Sequence, residues 1–179
     1  MTRYYTGRGD NGETDTMGFG RISKDTMLAN LLGDIDELNS VIGVSISNTT
    51  DERVAGAMKV LQDKLFTAGS DASSSEENKA AKRLKETDIK WLEEQTDEIS
   101  AKLPELKKFV LPGGSASSAY LHLARSVARR AERTAVSLSK KQKLNPNLLS
   151  FLNRTSSLLF VCALYMNKKE GVEESHPTY

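Results

Sequence analysis

Residues 121–136 read LHLARSVARRAERTAV, and their reading decides the fold. Alanines 124, 128, 131 and 135 recur at steps of three and four. At 100° per residue they form a narrow stripe of small side chains, a helix surface that a second helix can approach closely. Leu123, Val127 and Leu138 read as flanking that stripe, which predicts a helix packed inside a bundle. Arg125, Arg129, Glu132 and Arg133 fall together on the opposite arc. A solvated face is the simplest account of them. Against it, like charges one helical turn apart repel by a few tenths of a kcal/mol per pair, and one glutamate does not offset three arginines. A bound anion would, and the planar guanidinium fork suits a polyphosphate.

Breaks on either side bound this helix. LPGG (111–114) precedes it, with Ser115 or Ser117 as cap, and KLNPN (143–147) follows. Asn147 is expected to start a fifth helix, rich in Leu, Phe and Val through Tyr165. Upstream, Met27, Leu28, Leu31, Leu32, Ile35, Leu38 and Ile42 predict a first helix, capped by Asp25 or Ser23 and ended by SNTTD (47–51). Val54, Met58, Leu61, Leu65 and Phe66 predict a second, and Ile89, Leu92 and Ile99 a third from about Thr87. Between those two, SDASSSEENKAAKRLKE (70–86) reads as a polar connection. TGRGDNGETDTMGFGR (6–21), with five glycines and few apolar residues, reads as an irregular loop. The polar tail KKEGVEESHPTY (168–179) is expected to fray. The expectation is an all-α five-helix bundle forming one domain over 1–179: a glycine-rich loop to 24, helices over 25–168 and a tail over 169–179.

Composition narrows the function. A chain of 179 residues with net charge +1 lacks the basic excess of a dedicated nucleic-acid or membrane-surface binder. Its single cysteine, Cys162, sits in the apolar run LLFVCALY and reads as a small buried hydrophobe. No secretory signal is evident, and no apolar run reaches the ~20 residues a membrane-spanning helix needs, so a cytoplasmic protein is expected. GRGDNG (7–12) fits G-x-G-x-x-G, but no strand precedes it and no helix opens after it, which disfavours a dinucleotide fold. A glycine-rich loop followed by Arg21 and Lys24 can still wrap an anion through its backbone donors. His122 and His176 belong to no metal-ligand cluster; Glu173 and His176 form a Glu-x-x-His match in the tail rather than on facing helices. Asn39 and Asn153 lie within apolar stripes and need hydrogen-bond partners, most simply as bridges between helices. Asp36, at the edge of the first helix's apolar face, could pair with one of the arginines.

Four blocks, YTGRGDNGET, GDIDELNSVIG, FVLPGGSASSAYLHLARSVARRAER and FLNRTSSLLFVCALYMN, occur in that order across nearly the whole chain. Together they resemble the PduO-type ATP:cob(I)alamin adenosyltransferases. The resemblance implies a five-helix bundle assembling as a homotrimer with active sites between subunits. It implies transfer of the 5′-deoxyadenosyl group of ATP to Co(I) of a reduced corrinoid, with Mg²⁺ accompanying ATP and tripolyphosphate leaving. A reductase for Co(II) and an adenosylcobalamin-dependent enzyme are the implied partners. It places ATP contacts at Thr6, Gly7, Arg8, Gly9, Thr14, Asp15 and Lys24 in the loop, and at Arg129, Arg130, Glu132, Arg133 and Asn153. It pairs Arg125 with Asp36 and puts Phe109 on the lower face of the corrin ring. The first block departs from the pattern: Gly7 and Arg8 stand where the family usually has a basic residue then threonine, and Asn11 where it has lysine. The competing readings are a helical ATP sensor or scaffold without turnover, and an arginine helix on RNA phosphates, which the balanced charge disfavours.

Overall fold

A computed structural model describes residues 3–75 and 77–179. Among them lie five helices: α1 (Met27–Asn48), α2 (Glu52–Ala72), α3 (Glu86–Ser100), α4 (Ala116–Ser139) and α5 (Pro146–Lys169). Their starts have local chemical causes. Thr26, Asp51, Ser115 and Asn145 each accept a hydrogen bond from a free amide in the first turn of α1, α2, α4 and α5. Thr26 thus takes the role expected of Asp25 or Ser23. Helix α5 opens one residue earlier than Asn147, because Pro146 suits the first helical position. For α3, Asp88 reaches back 2.9 Å to the Lys85 amide.

Neighbouring helices run α3, α5, α4, α1, α2, so α5, α4 and α1 are interior members of the row. Alanines 124, 128, 131 and 135 are fully buried, as the stripe predicts. Leu31, Leu38, Met58, Leu61, Leu92, Phe151 and Leu159 fill the core around them. Two apolar residues assigned to that core stand outside it: Leu123 is 50% exposed and Phe66 is 73% exposed. Helix α5 is by length and composition apolar enough to cross a membrane, with a mean hydropathy of 1.4 in its most apolar window. That corrects the expectation that no run reaches such a length. Most of this window (56%) is buried inside the bundle, where core packing accounts for its composition.

The glycine-rich segment is not irregular. Strands β1 (Glu13–Thr16) and β2 (Gly20–Ser23) pair antiparallel, Thr14 opposite Ile22 and Asp15 opposite Arg21. Ile22 is the apolar contact of this ribbon with the bundle. Its tip is fastened to the end of α2: the Gly18 amide donates to the Ser73 carbonyl at 2.9 Å. The fit there excludes a side chain, since a Cβ on Gly18 would lie 2.7 Å from Ser74 Cα. The polar connection after α2, in which residue 76 lies outside the described residues, is also tied down. Buried Asp71 accepts from Arg83, the Leu84 amide and Asn145 at 2.6–3.0 Å.

The C-terminal tail is bound as well, contrary to the expectation of fraying. Buried Asn167 accepts from the Ser115 amide at 2.9 Å and donates to Gly113 O at 3.2 Å and to Glu174 at 3.1 Å. Gly114, at φ +100°, leaves room for that amide: an added Cβ would lie 2.2 Å from Asn167 Oδ1. Beyond it the Leu111 amide donates to Ser175 O at 2.7 Å, and His176 Nδ1 lies 2.8 Å from Phe109 O. The tail therefore straps α5 to the segment that leads into α4.

Candidate active site

A cleft of about 660 Å³ lies between the N-terminal half of α4, α5 and segment 106–110. Helix periodicity puts Arg125 and Arg129, one turn apart, on its α4 wall, with His122 one turn earlier. Helix α5 contributes Ser156, Ser157 and Phe160, and Phe109 stands at the rim, 81% exposed. A phenylalanine that plugged the bundle would be buried. This one presents its ring to the cleft mouth instead.

Two groups on the α4 wall carry unmet bonding capacity. The Arg125 guanidinium lies 5.9 Å over the Phe160 ring, and its buried Nε–H has no protein acceptor. Burial and the adjacent Arg129 charge hold its pKa below the usual guanidinium value. His122 is 2% exposed, and neither ring nitrogen has a partner. Burial, aided by the Arg125 charge, pushes its pKa down to about 4, so it is neutral near pH 7. The wall is cationic through arginine alone.

Farther along α4, Arg129, Glu132 and Arg133 line a second hollow of about 410 Å³ with Val136 and Ser137. Asn153 on α5 joins this group by donating to Glu132 Oε1 at 2.8 Å, while its own Oδ1 accepts from Arg154 at 2.7 Å. Arg129 borders both cavities and so links them. The structure thus brings together Arg125, Phe109, Arg129, Glu132, Arg133 and Asn153.

Arg130 is not with them. It points to α1, where its Nε lies 2.8 Å from Asp34 and a second nitrogen pairs with Glu37. The Asp34 hydrogen bond, opposed by some burial, raises its pKa. Its place in the fold is an α1–α4 bridge, not the arginine array. Asp36 is likewise apart, lining a separate hollow of about 290 Å³ with Met17, Asn39 and Phe66. The expected Arg125–Asp36 pair does not form within one chain. Asn39 exchanges hydrogen bonds with Gln62 across α1 and α2, as expected of a bridging amide.

The N-terminal residues form a turn held by its own cations. The Arg8 amide donates to Thr6 Oγ1, and Arg8 pairs with Asp15 at 3.4 Å. Lys24 Nζ donates to Gly9 O at 2.8 Å, and Arg21 to Arg8 O at 2.7 Å. Gly7 takes φ +70° within this turn, and Thr14 faces inward on β1. Among the described residues no hydrogen bond or ion pair joins this set to Arg129, Glu132, Arg133 or Asn153. The sequence reading missed His122 and Phe160 as cleft residues. The spacing of His122 three before Arg125 was the available signal.

Residues 4–166 match the family described as cobalamin adenosyltransferase. The chain is 38% identical to the corrinoid adenosyltransferase of Bacillus subtilis over 95% of its own length and 89% of that protein's. It is 36% identical to the mouse corrinoid adenosyltransferase MMAB, over 97% and 76% of the two lengths. Among solved structures it is similar to a variant of the PduO-type ATP:corrinoid adenosyltransferase from Lactobacillus reuteri complexed with cobalamin and ATP. There the TM-score is 0.91 at 31% identity, covering 99% of this chain and all of the other.

Proposed function

We propose the following chemistry for this chain, which belongs to the cobalamin adenosyltransferase family and is a corrinoid adenosyltransferase. Co(I) of the reduced corrinoid attacks C5′ of ATP. The Co–C bond forms as the C5′–O bond breaks, and the bonding pair departs with tripolyphosphate. Cob(I)alamin is itself the nucleophile, so the protein's contribution is position and charge. Arg129 and Arg133 border the hollow that would receive the triphosphate, where fixed cations stabilise charge growing on the leaving group. Glu132 and Asn153, bonded to each other, fix the polar wall beside them.

The observation that carries this reading is Phe109: an 81% exposed aromatic ring at the rim of a cleft walled by two arginines. On the lower corrin face it would exclude an axial ligand and ease reduction of Co(II). Mg²⁺ would come bound to ATP. Among the described residues no three His, Cys, Asp or Glu side chains are grouped to hold a metal ion. That suits an ion held mainly by phosphate oxygens and water.

Within one chain no hydrogen bond or ion pair among the described residues joins the loop residues, whose hairpin is docked on α2, to the arginines of α4. A site using both is completed by a second copy, which supports the homotrimer with sites between subunits. A reductase delivering the electron to Co(II) and an enzyme consuming adenosylcobalamin are the partners this chemistry requires. Handling Co(I) fits a reducing, cytoplasmic setting, as does a lone buried cysteine. Anaerobic incubation with chemically reduced cob(I)alamin and MgATP should give the absorbance of the Co–C product with one equivalent of tripolyphosphate by ³¹P NMR. Pyrophosphate plus phosphate would overturn the leaving-group assignment. ATP binding without alkylation would return the chain to a nucleotide sensor.

A further inference from the structure

Within one chain a ring that is 81% exposed is not positioned by packing, so the backbone that carries it must be. Segment 104–112 belongs to no helix or strand. Among the described residues it makes two hydrogen bonds, and both go to the C-terminal tail. They are Leu111 N to Ser175 O at 2.7 Å and the contact of His176 Nδ1 with Phe109 O at 2.8 Å. A carbonyl can only accept, so Nδ1 carries the proton, in either the Nδ1–H tautomer or the imidazolium. We propose that the tail is a positioning strap for Phe109, with His176 as the residue that clasps the Phe109 carbonyl and thereby sets the ring over the cleft. This rests on the reading of Phe109 as the corrin-face residue.

The strap is anchored at its base. Asn167 bonds Gly113, Ser115 and Glu174, Ser117 Oγ donates to Glu170, and the Val172 amide donates to Asn167 O at 2.9 Å. A tail fixed at 167–174 delivers Ser175 and His176 to one place, and the two bonds they make fix the Phe109–Leu111 backbone. The His176 side chain is exposed, so its hydrogen bond contributes little to global stability. Its effect falls on the orientation of one neighbour. His176 is thus a positioning residue, acting on the corrinoid only through Phe109.

The test uses the full-length protein with MgATP and cob(II)alamin, reads the four-coordinate Co(II) signature by electron paramagnetic resonance, and measures the Co(II)-dependent rate with a dihydroflavin supplied as one-electron reductant. His176→Ala should lower the four-coordinate fraction and the Co(II)-dependent rate about tenfold, while the rate from pre-reduced cob(I)alamin stays within about twofold. The melting temperature should be unchanged. His176→Asn, whose Nδ2–H can replace the ring donor, should restore the signature. A His176→Ala protein with the wild-type Co(II) spectrum would overturn the strap, and so would equal losses of both rates with a lowered melting temperature. Phe109→Ala separates the two ideas. If it abolishes the signature while His176→Ala does not, the strap alone fails. If Phe109→Ala leaves the signature intact, the reading of Phe109 fails and the strap falls with it.

Discussion

His122 holds a site that a neutral imidazole can occupy and an imidazolium cannot. Its ordinary pKa of 6.5 falls to about 4 in the fold, because burial and the Arg125 charge both penalise a proton there. Below pH 6.5 the unfolded chain takes up a proton that the folded chain refuses. Stability is therefore full above about pH 6.5 and is lost as pH falls toward 4, by up to about 3 kcal/mol for a shift of this size. Asp51 and Asp88 act lower. Against the burial that raises them, hydrogen bonds from Lys169 and Lys64 hold both below 3.8. Their contributions are lost only as pH falls below that value. Urea midpoints measured between pH 7 and 4 should decline in the wild type and be flatter in His122→Gln. Parallel slopes for the two proteins would show that His122 is not the titrating group.

At the scale of elements, the N-terminal ribbon is held at its tip by a contact that admits no side chain. Gly18→Ala would place a methyl 2.7 Å from backbone atoms of Ser74 and Ser75, so the tip must lift from α2 and lose the bond to Ser73 O. The ribbon buries little, so the melting temperature should hardly move. Hydrogen exchange across 13–23 should quicken, and KM for ATP should rise about tenfold with KM for the corrinoid unchanged. Faster exchange with an unaltered ATP KM would take the ribbon out of the nucleotide site. These same elements show what a sequence makes legible. The five helices could be read because each buries a periodic apolar face and begins at a polar cap, and Asn39 because a buried amide demands a partner. The ribbon could not, since strand signals depend on alternating apolar residues and β1 and β2 offer only Ile22. Nor could the tail, whose order comes from Asn167 and His176 bonding to backbone more than fifty residues away. Leu123 and Phe66 were misplaced because helical periodicity counts apolar residues without saying which surface covers them. Periodicity already leaves Arg130 off the arginine arc, but nothing in its local pattern reveals its partner Asp34 on another helix.

At the scale of the whole molecule, several features of one chain are incomplete. Arg125 buries an Nε–H without an acceptor, an omission that costs about 1–3 kcal/mol unless a partner arrives. Asp36 lies in a different hollow beside Met17 and Phe66, which are 64% and 73% exposed, while α4 leaves Leu123 50% and Val136 40% exposed. If these surfaces meet in the proposed trimer, Asp36 of one copy would pair with Arg125 of the next. Asp36 is exposed in one chain; were the pair buried between copies, removing one member would strand the other as a desolvated charge at a cost of about 3–5 kcal/mol, enough to displace an assembly equilibrium by two orders of magnitude or more. Asp36→Arg alone should oppose two arginines, and Arg125→Asp alone two aspartates. Each should sediment as a smaller species than the wild type at micromolar concentration. The double exchange restores opposite charges and should recover the wild-type mass, even if activity stays low because Arg125 also walls the cleft. Activity is therefore the wrong readout and mass the right one. Single variants that keep the wild-type mass would show that the two residues do not meet between subunits, and Arg125 would then need another acceptor, with the corrinoid itself the nearest candidate in the cleft it lines.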